Sequence, residues 1–186
     1  MDNLYQTPSA PLLVEERPRD TFFVTSPTKL YVLFFMTLGF YSIYWSYKHW
    51  DRQRAAMRPK KINPAARSIF HIFFVHSLCQ LILTQLQAKG LGEWKYGRVA
   101  WLYILLVFAS NGLSRFDSQG GVTLEIMLLA AGTILPAWPL SIIQEKANLA
   151  SGDPEGQSNN RFSVANLLCM LPGALLWLLI IIGAYL

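Results

Sequence analysis

The sequence predicts an all-α membrane protein with four transmembrane helices and a shorter N-terminal apolar helix that either spans the bilayer or re-enters it. Of the 186 residues, 53% are hydrophobic and only 15% are charged, against about 25% charged in a typical soluble domain. The apolar residues fall in long blocks, and most polar and basic residues collect between these blocks. The length is that of one domain.

Residues 1–29 are polar, carry both charges and contain Pro8, Pro11, Pro18 and Pro27. They lack the basic start and the short apolar region of a signal peptide, so we expect no cleavage there. The composition predicts a flexible polar tail, 1–29, ahead of a helical membrane domain, 30–186.

The first apolar block, residues 30–47, reads LYVLFFMTLGFYSIYWSY. A helix of this length covers roughly 27 Å, slightly less than a hydrocarbon core of about 30 Å. The block therefore either spans with little to spare or dips into the bilayer and returns. The tail lies outside in the first case and inside in the second.

Four further blocks reach, or nearly reach, the length of about 18 apolar residues that indicates a spanning helix. Pro136 and Pro139 each remove a backbone donor and predict a bend. Ser163 and Asn166 are typical of a helix cap. The two cysteines lie inside blocks, where buried free thiols are expected. The four blocks are residues 68–88, 99–114, 121–144 and 164–186.

The distribution of Lys and Arg predicts the orientation. The loop 48–67 carries seven of the sixteen bases and a single acid, Asp51. The positive-inside rule places this loop in the cytoplasm. The polar loop 145–163 then falls outside, and Leu186 ends on the cytoplasmic side. The loop 89–98 also falls outside, and its three bases are the main objection to this topology.

An aromatic-basic segment, residues 41–61, begins inside the first block and is the predicted contact surface. Trp prefers the headgroup level, and each base near an anionic leaflet contributes about 1 kcal/mol at most. The segment either binds lipid or a protein partner, or its bases serve only to orient the chain. The candidate contact residues are Trp45, Trp50, Arg52, Arg54, Arg58, Lys60 and Lys61.

The second block carries unusual polar residues. His71 and His76 lie about 140° apart around a helix, which is not the spacing of a zinc pair. A polar stripe begins at His76, and such side chains usually form hydrogen bonds between helices, worth about 0.6 to 2 kcal/mol each. The alternative is a hydrated path that includes the one acid inside a block. The candidate path residues are His76, Gln80, Thr84 and Glu125.

Enzyme signatures are absent from the sequence, which has no G-x-S-x-G, no Walker loop, no G-x-G-x-x-G and no C-x-x-C. Asp153, Glu155 and Asn159 do not have EF-hand spacing and predict a turn. We therefore expect no catalytic residue, no metal and no cofactor. The net charge of +5 is concentrated in one loop, so nucleic acid is not an expected partner.

Five stretches carry a resemblance to a known family: NLYQTPSA, SPTKLYVLFFMTLGFYSIYWSYKHW, ARSIFHIFFVHSL, IIQEKANLASGDPEGQSN and FSVANLLCMLPGALLWLLIIIG. Over nearly its full length the chain resembles an uncharacterised family of small polytopic inner-membrane proteins of gamma-proteobacteria. The most specific element is TLGFYSIYW, a TLGxYxxYW motif. Ser46 and His49 depart from the Phe and Asn common in the family. The resemblance implies a multi-pass inner-membrane protein with no assigned catalytic or binding residues.

The leading hypothesis is a non-enzymatic inner-membrane protein, an accessory or interaction subunit that acts through the aromatic-basic cytoplasmic segment. Its expected partners are anionic lipid headgroups and either another protein or a second copy of the chain. The alternative is a small oligomeric transporter or channel that uses the polar stripe.

Overall fold

The computed structural model describes residues 22–57, 61–113 and 121–185, and every regular element in these ranges is helical. The all-α prediction is confirmed. Predictions for residues 1–21, for Arg58 and Lys60 and for the loop 114–120 lie outside the described residues. The helices are α1 (Pro27–Met36), α2 (Tyr41–Gln53), α3 (Pro64–Ile69), α4 (His71–Ala88), α5 (Gly97–Leu113), α6 (Gly121–Ile134), α7 (Ala137–Ala150) and α8 (Val164–Tyr185), with a 3₁₀ turn at Gln157–Asn159.

The first apolar block is two helices joined by a tight turn. Leu38 and Gly39 have φ values of 53° and 87°, in the left-handed region that ends a helix. The hydroxyl of Thr37 donates to Leu33 O at 2.7 Å and accepts from Tyr41 N at 2.9 Å, so one side chain connects α1 to α2.

The α1–α2 hairpin returns to the end from which it starts. Arg52 Nη1, in the last turn of α2, donates to Phe22 O at 2.7 Å, just before α1. The ten residues of α1 cover about 15 Å, roughly half of a hydrocarbon core. The block 30–47 is therefore not one continuous helix but turns back on itself. We call the end that contains Phe22 and Arg52 the open end, and the end at 37–40 the turn.

Helices α6 and α7 break at Leu135 and Pro136, as the prolines predict, and α7 continues to Ala150. The loop after it therefore begins at Ser151, and the predicted start at 145 is wrong. The polar residues Gln144 and Asn148 belong to the buried face of α7 and contact the segment before α1. The sequence prediction assigned Asn148 to the loop on its polarity, but the partner of its side chain is buried backbone and not solvent.

Loops that the sequence prediction divided between two sides lie at one end. Phe22 N donates to Ser151 Oγ at 2.9 Å, and Lys89 Nζ donates to Ala150 O at 2.6 Å. The loops after α4 and α7 therefore both adjoin the open end, close to Arg52. They cannot lie across a bilayer from the first residues of the basic loop, so the predicted alternation is wrong.

Helix α8 begins near the open end and continues past the turn. Lys29 Nζ donates to Arg161 O at 2.7 Å, and Trp177 stacks on Phe35 with ring centroids 4.8 Å apart. Gly173 lies against the end of α1, where a β-carbon would overlap Met36 O. The C-terminal end of α8 is thus on the far side of the turn, opposite to the side predicted for the C-terminus.

Two helical stretches, Gly121–Ala150 and Val164–Gly183, are long and apolar enough to cross a membrane. The predicted number was four. Helix α5 has 17 residues, and the 18 residues of α4 include two His and three Gln, which lower its hydropathy. Only 11% of the apolar window of α8 is buried, so α8 does not resemble the core helix of a soluble protein.

Candidate functional site: a cationic cleft beside an apolar groove

The extended segment 22–26, which we call the strap, lies along α7 and is buried. Buried backbone outside a helix or sheet needs partners for its carbonyl groups. Side chains from α2, α7 and the following loop supply them. The bonds are Arg52 Nη1 to Phe22 O at 2.7 Å, Gln144 Nε2 to Phe23 O at 2.8 Å, Asn159 Nδ2 to Val24 O at 2.8 Å and Asn148 Nδ2 to Thr25 O at 2.9 Å.

Gln144 is the centre of this network and is fully buried. Its Oε1 accepts from Trp45 Nε1 at 2.5 Å and lies 3.2 Å from His49 Nε2. Its Nε2 donates to Phe23 O and, at 2.6 Å, to Asn148 Oδ1. One amide therefore joins α2, the strap and α7, which are distant in sequence.

Trp45 and Trp50 are core residues, with 2% and 1% of their surface exposed. Trp50 packs against Phe74, and the guanidinium of Arg67 lies 4.2 Å from its ring centroid. Neither indole reaches the surface, so the prediction that they contact lipid or a partner is wrong. Adjacent bases and aromatics are typical of an interface, but the Trp face of α2 points inward.

The predicted contact bases have different surroundings. Arg52 is exposed, but its guanidinium contacts the strap. Its Nη1 donates to Phe22 O, and the guanidinium lies 5.7 Å from the ring centroid of Phe23. Arg54 and Lys61 are exposed and remain candidate contacts. Arg58 and Lys60 lie outside the described residues.

The predicted polar path is not assembled. His76 is half-buried against Tyr96 and Trp101, whereas Gln80 and Thr84 lie on the exposed face of α4. The hydroxyl of Thr84 donates to Gln80 O at 3.0 Å. Glu125 is on the exposed helix α6, and α6 is not a neighbour of α4. The spacing correctly puts Gln80 and Thr84 on one face of α4, but that face is exposed and does not line a path through the protein.

A polar cleft of about 560 Å³ opens between the hairpin and the loop after α7. In the part of the chain that the structure describes, four bases line it: Lys29, Lys48, Arg52 and Arg161. Lys29 is only 4% exposed, and its Nζ donates to Asn159 Oδ1 and to Arg161 O, both at 2.7 Å. Burial lowers the pKa of Lys29 from its ordinary value.

Asp153 is the one acid that lines the cleft within residues 22–57, 61–113 and 121–185, and it is paired with backbone. Its carboxylate accepts from Gln157 N at 2.9 Å and from Ser158 N at 2.8 Å, which lowers the pKa of Asp153. The predicted turn at this position is confirmed. Gly156, with φ of 69°, closes the turn against the strap, where a β-carbon would lie 2.5 Å from Thr25 O. The acid thus shapes the loop and leaves the bases as the dominant charge.

An apolar groove, also of about 560 Å³, lies between the hairpin and the first half of α8. It shares Tyr41, Tyr44 and Asn166 with the cleft, so the two spaces adjoin at these residues. Cys169 is an exposed free thiol in this groove, in contrast to the buried thiol that we expected. Its apolar walls include Leu33, Leu38, Phe40, Pro172 and Leu176.

A second cavity, of about 340 Å³, lies at the turn and is bordered by α4, α5 and α6. Ser42, His71 and Tyr103 contribute polar atoms to it. Two other hydroxyls on its wall are bonded to their own helices: Ser110 Oγ to Leu106 O at 2.6 Å and Thr133 Oγ1 to Leu129 O at 2.8 Å.

Sequence reasoning missed three bases of the cleft: Lys29, Lys48 and Arg161. They come from different parts of the chain and meet only because the hairpin and α8 start at the same end. A weak signal was present, because Lys29 is a charged residue at the entrance to an apolar block.

Comparison with models of protein families, with curated proteins and with solved structures finds no match.

Proposed function

We propose that this chain is a non-enzymatic integral protein of the bacterial inner membrane that acts by contact, as an accessory or interaction subunit. The observation that carries the proposal is the apolar outer surface of α6 and α8. No residue of α6 is buried, and along α8 side chains such as Leu175 and Leu179 are 60% and 64% exposed. Soluble monomers rarely expose contiguous apolar patches above a few hundred Å². Lipid is the solvent that suits this surface.

In the proposed topology, α6–α7 and α8 cross the bilayer, α5 crosses beside them, and the α1–α2 hairpin dips in from the cytoplasm. The 17 residues of α5 cover about 26 Å, which tolerates slight thinning of the bilayer. The grouping of bases supports the orientation. Arg52, Lys89 and Arg161 all adjoin the open end, so the loop 89–98 no longer opposes the positive-inside rule.

The proposed contact surface is a revision of the aromatic-basic segment. Its exposed members are Tyr44, Tyr47, Arg54 and Lys61, and they replace the buried Trp45 and Trp50. Tyr side chains suit the boundary between hydrocarbon and water, and the bases suit anionic headgroups or an acidic protein surface. The resemblance to small inner-membrane proteins is consistent with this placement.

Single-cysteine labelling tests the topology. In a background without Cys79 and Cys169, we expect Arg54→Cys and Ser158→Cys to react from the cytoplasmic side, and Val122→Cys to react only from the other side. Labelling of positions 54 and 158 from opposite sides would refute the hairpin arrangement. Release of the protein from membranes by alkaline carbonate would refute membrane integration.

The contact role is tested by purification in mild detergent. We expect the wild type to retain a stoichiometric partner or a second copy, and Arg54→Gln combined with Lys61→Gln to lose it. Light scattering separates a second copy from a different protein. A strictly monomeric, partner-free wild type would oppose the interaction role.

The alternative is a small oligomeric transporter or channel, and the cavity at the turn favours it. Non-helical backbone at membrane depth is tolerated where it lines a water-filled cavity or is buried in protein, and Leu38 and Gly39 border this cavity. Solute or ion flux into liposomes that depends on His71 would support transport. Flux equal to that of empty liposomes would refute the transport function.

A further inference from the structure

We propose that the cleft and the groove together bind one anionic phospholipid, with its phosphate among the cleft bases and an acyl chain along α8. This inference rests on the proposed membrane placement of α8. The two spaces are each within the usual size range of ligand sites, about 300 to 1,000 Å³.

The charge of the cleft selects an anion. Among the described residues, four bases and a single acid line the cleft, and the oxygens of that acid already accept two backbone N–H groups. Lys29 donates to the loop after α7, and Arg52 donates to the strap. Within the described ranges, the Lys48 ammonium and the Arg161 guanidinium make no ion pair or hydrogen bond. Two unoccupied cations beside a buried Lys29 suit a phosphate, which accepts several charge-assisted hydrogen bonds.

The position of the cleft fits a headgroup. Ser163 Oγ accepts from Asn166 N at 3.2 Å, and Asn166 Oδ1 accepts from Ser163 N at 3.0 Å, so these residues cap the start of α8 as the sequence predicts. Both residues line the cleft. If α8 spans the bilayer, its first turn lies at the headgroup level, where the phosphate of a lipid also lies.

The groove fits an acyl chain. It follows α8 from Ala165 to Leu176, a rise of roughly 17 Å into the proposed hydrocarbon region. Tyr41 and Tyr44 lie at the junction of the polar and apolar spaces, where an amphipathic ring is suited to both. A free anion would leave the groove empty, and an uncharged lipid would leave the cleft bases unpaired.

The test is a lipid titration of delipidated full-length protein in mild detergent, followed by native mass spectrometry. We expect one phosphatidylglycerol per chain, bound at least about tenfold tighter than phosphatidylcholine. Lys48→Gln with Arg161→Gln should weaken phosphatidylglycerol binding about 25-fold, because each base near the headgroup contributes roughly a factor of five. The matched control is Lys95→Gln with Arg98→Gln, two exposed bases outside both the cleft and the proposed contact surface; it removes the same charge and should change binding less than about twofold.

The groove is tested separately. Ala165→Trp fills it without a change in charge and should also weaken phosphatidylglycerol binding. Bound phosphatidylglycerol should slow the reaction of Cys169 with a membrane-soluble maleimide in the wild type, whereas Cys79 is buried and should stay unreacted. If a variant unfolds at the same temperature as the wild type, its weaker phosphatidylglycerol binding comes from the changed site and not from unfolding.

Three results would overturn the inference: equal binding of the two lipids, equal loss in both double variants, or displacement of the lipid by an equimolar amount of inorganic phosphate. None of them would alter cysteine labelling or carbonate resistance, so the proposed function would stand. Conversely, carbonate extraction would refute membrane integration, while the titration in detergent would still report on the site.

Discussion

Replacing Gln144 with Met removes the central hydrogen bonds of the protein while nearly preserving side-chain length and volume. The groups left facing a thioether are Trp45 Nε1, His49 Nε2 and Phe23 O, all buried. A buried polar group that loses its partner costs about 1 to 3 kcal/mol. At the lower end, three groups give a loss of about 3 kcal/mol in the free energy of unfolding. For a chain of this size that corresponds to roughly 6–12 °C in Tm.

The assay is thermal unfolding in one detergent, followed by tryptophan fluorescence, because Trp45 loses its bond directly. The matched control is Glu145→Gln, the neighbouring residue on the exposed face of α7, which should change Tm by less than about 1 °C. A decrease for Gln144→Met no larger than that of Glu145→Gln would refute the reasoning, since it would mean that this network contributes nothing to stability.

Three further predictions concern the loop and α8. Gly156→Ala should lower Tm by several degrees and Gly152→Ala by less, because both glycines have positive φ but only the first would place a β-carbon against the strap. Gly173→Ala would place a β-carbon against Met36 O and should lower the free energy of unfolding by about 1 to 3 kcal/mol, measured by thermal unfolding. Gly183→Ala, on the same helix with open space around it, should leave the Tm unchanged. Because backbone donors lower the folded-state pKa of Asp153, its stabilising contribution is present above the ordinary carboxyl pKa and is lost as pH falls through the lowered value. The Tm advantage of the wild type over Asp153→Asn should therefore be constant near neutral pH and shrink as the pH falls below the ordinary carboxyl pKa; an advantage that does not change with acidification would contradict this assignment.

The two tryptophans show why a local pattern can be interpreted wrongly. A run of aromatics followed by bases occurs both where a helix leaves a bilayer and where one face of a helix is buried in a core. The choice depends on the partner of Trp45, which is 99 residues away in the sequence. Helical periodicity shows that Trp45 and His49 share a face with one another, but it contains no information about what lies opposite that face.

The predicted topology was wrong for a related reason. The positive-inside rule was applied to loops in chain order, which assumes that each apolar block crosses once. The first block instead turns back at Leu38 and Gly39, so Phe22 and Arg52 meet. A glycine in an apolar run allows such a turn but does not require it, since glycine also occurs inside transmembrane helices.

Composition and local spacing were sufficient for the helical class, the bend at Pro136, the cap at Ser163 and the turn at Asp153, because each depends on residues within a few positions of one another. The buried tryptophans, the hairpin of the first block and the cleft that brings Lys29 and Arg161 together depend on contacts between distant segments. Such contacts are selected by the packing of the whole chain. For that reason the bases that we assign to lipid binding could be recognised as one site only after the strap, the hairpin and α8 were seen to share an end.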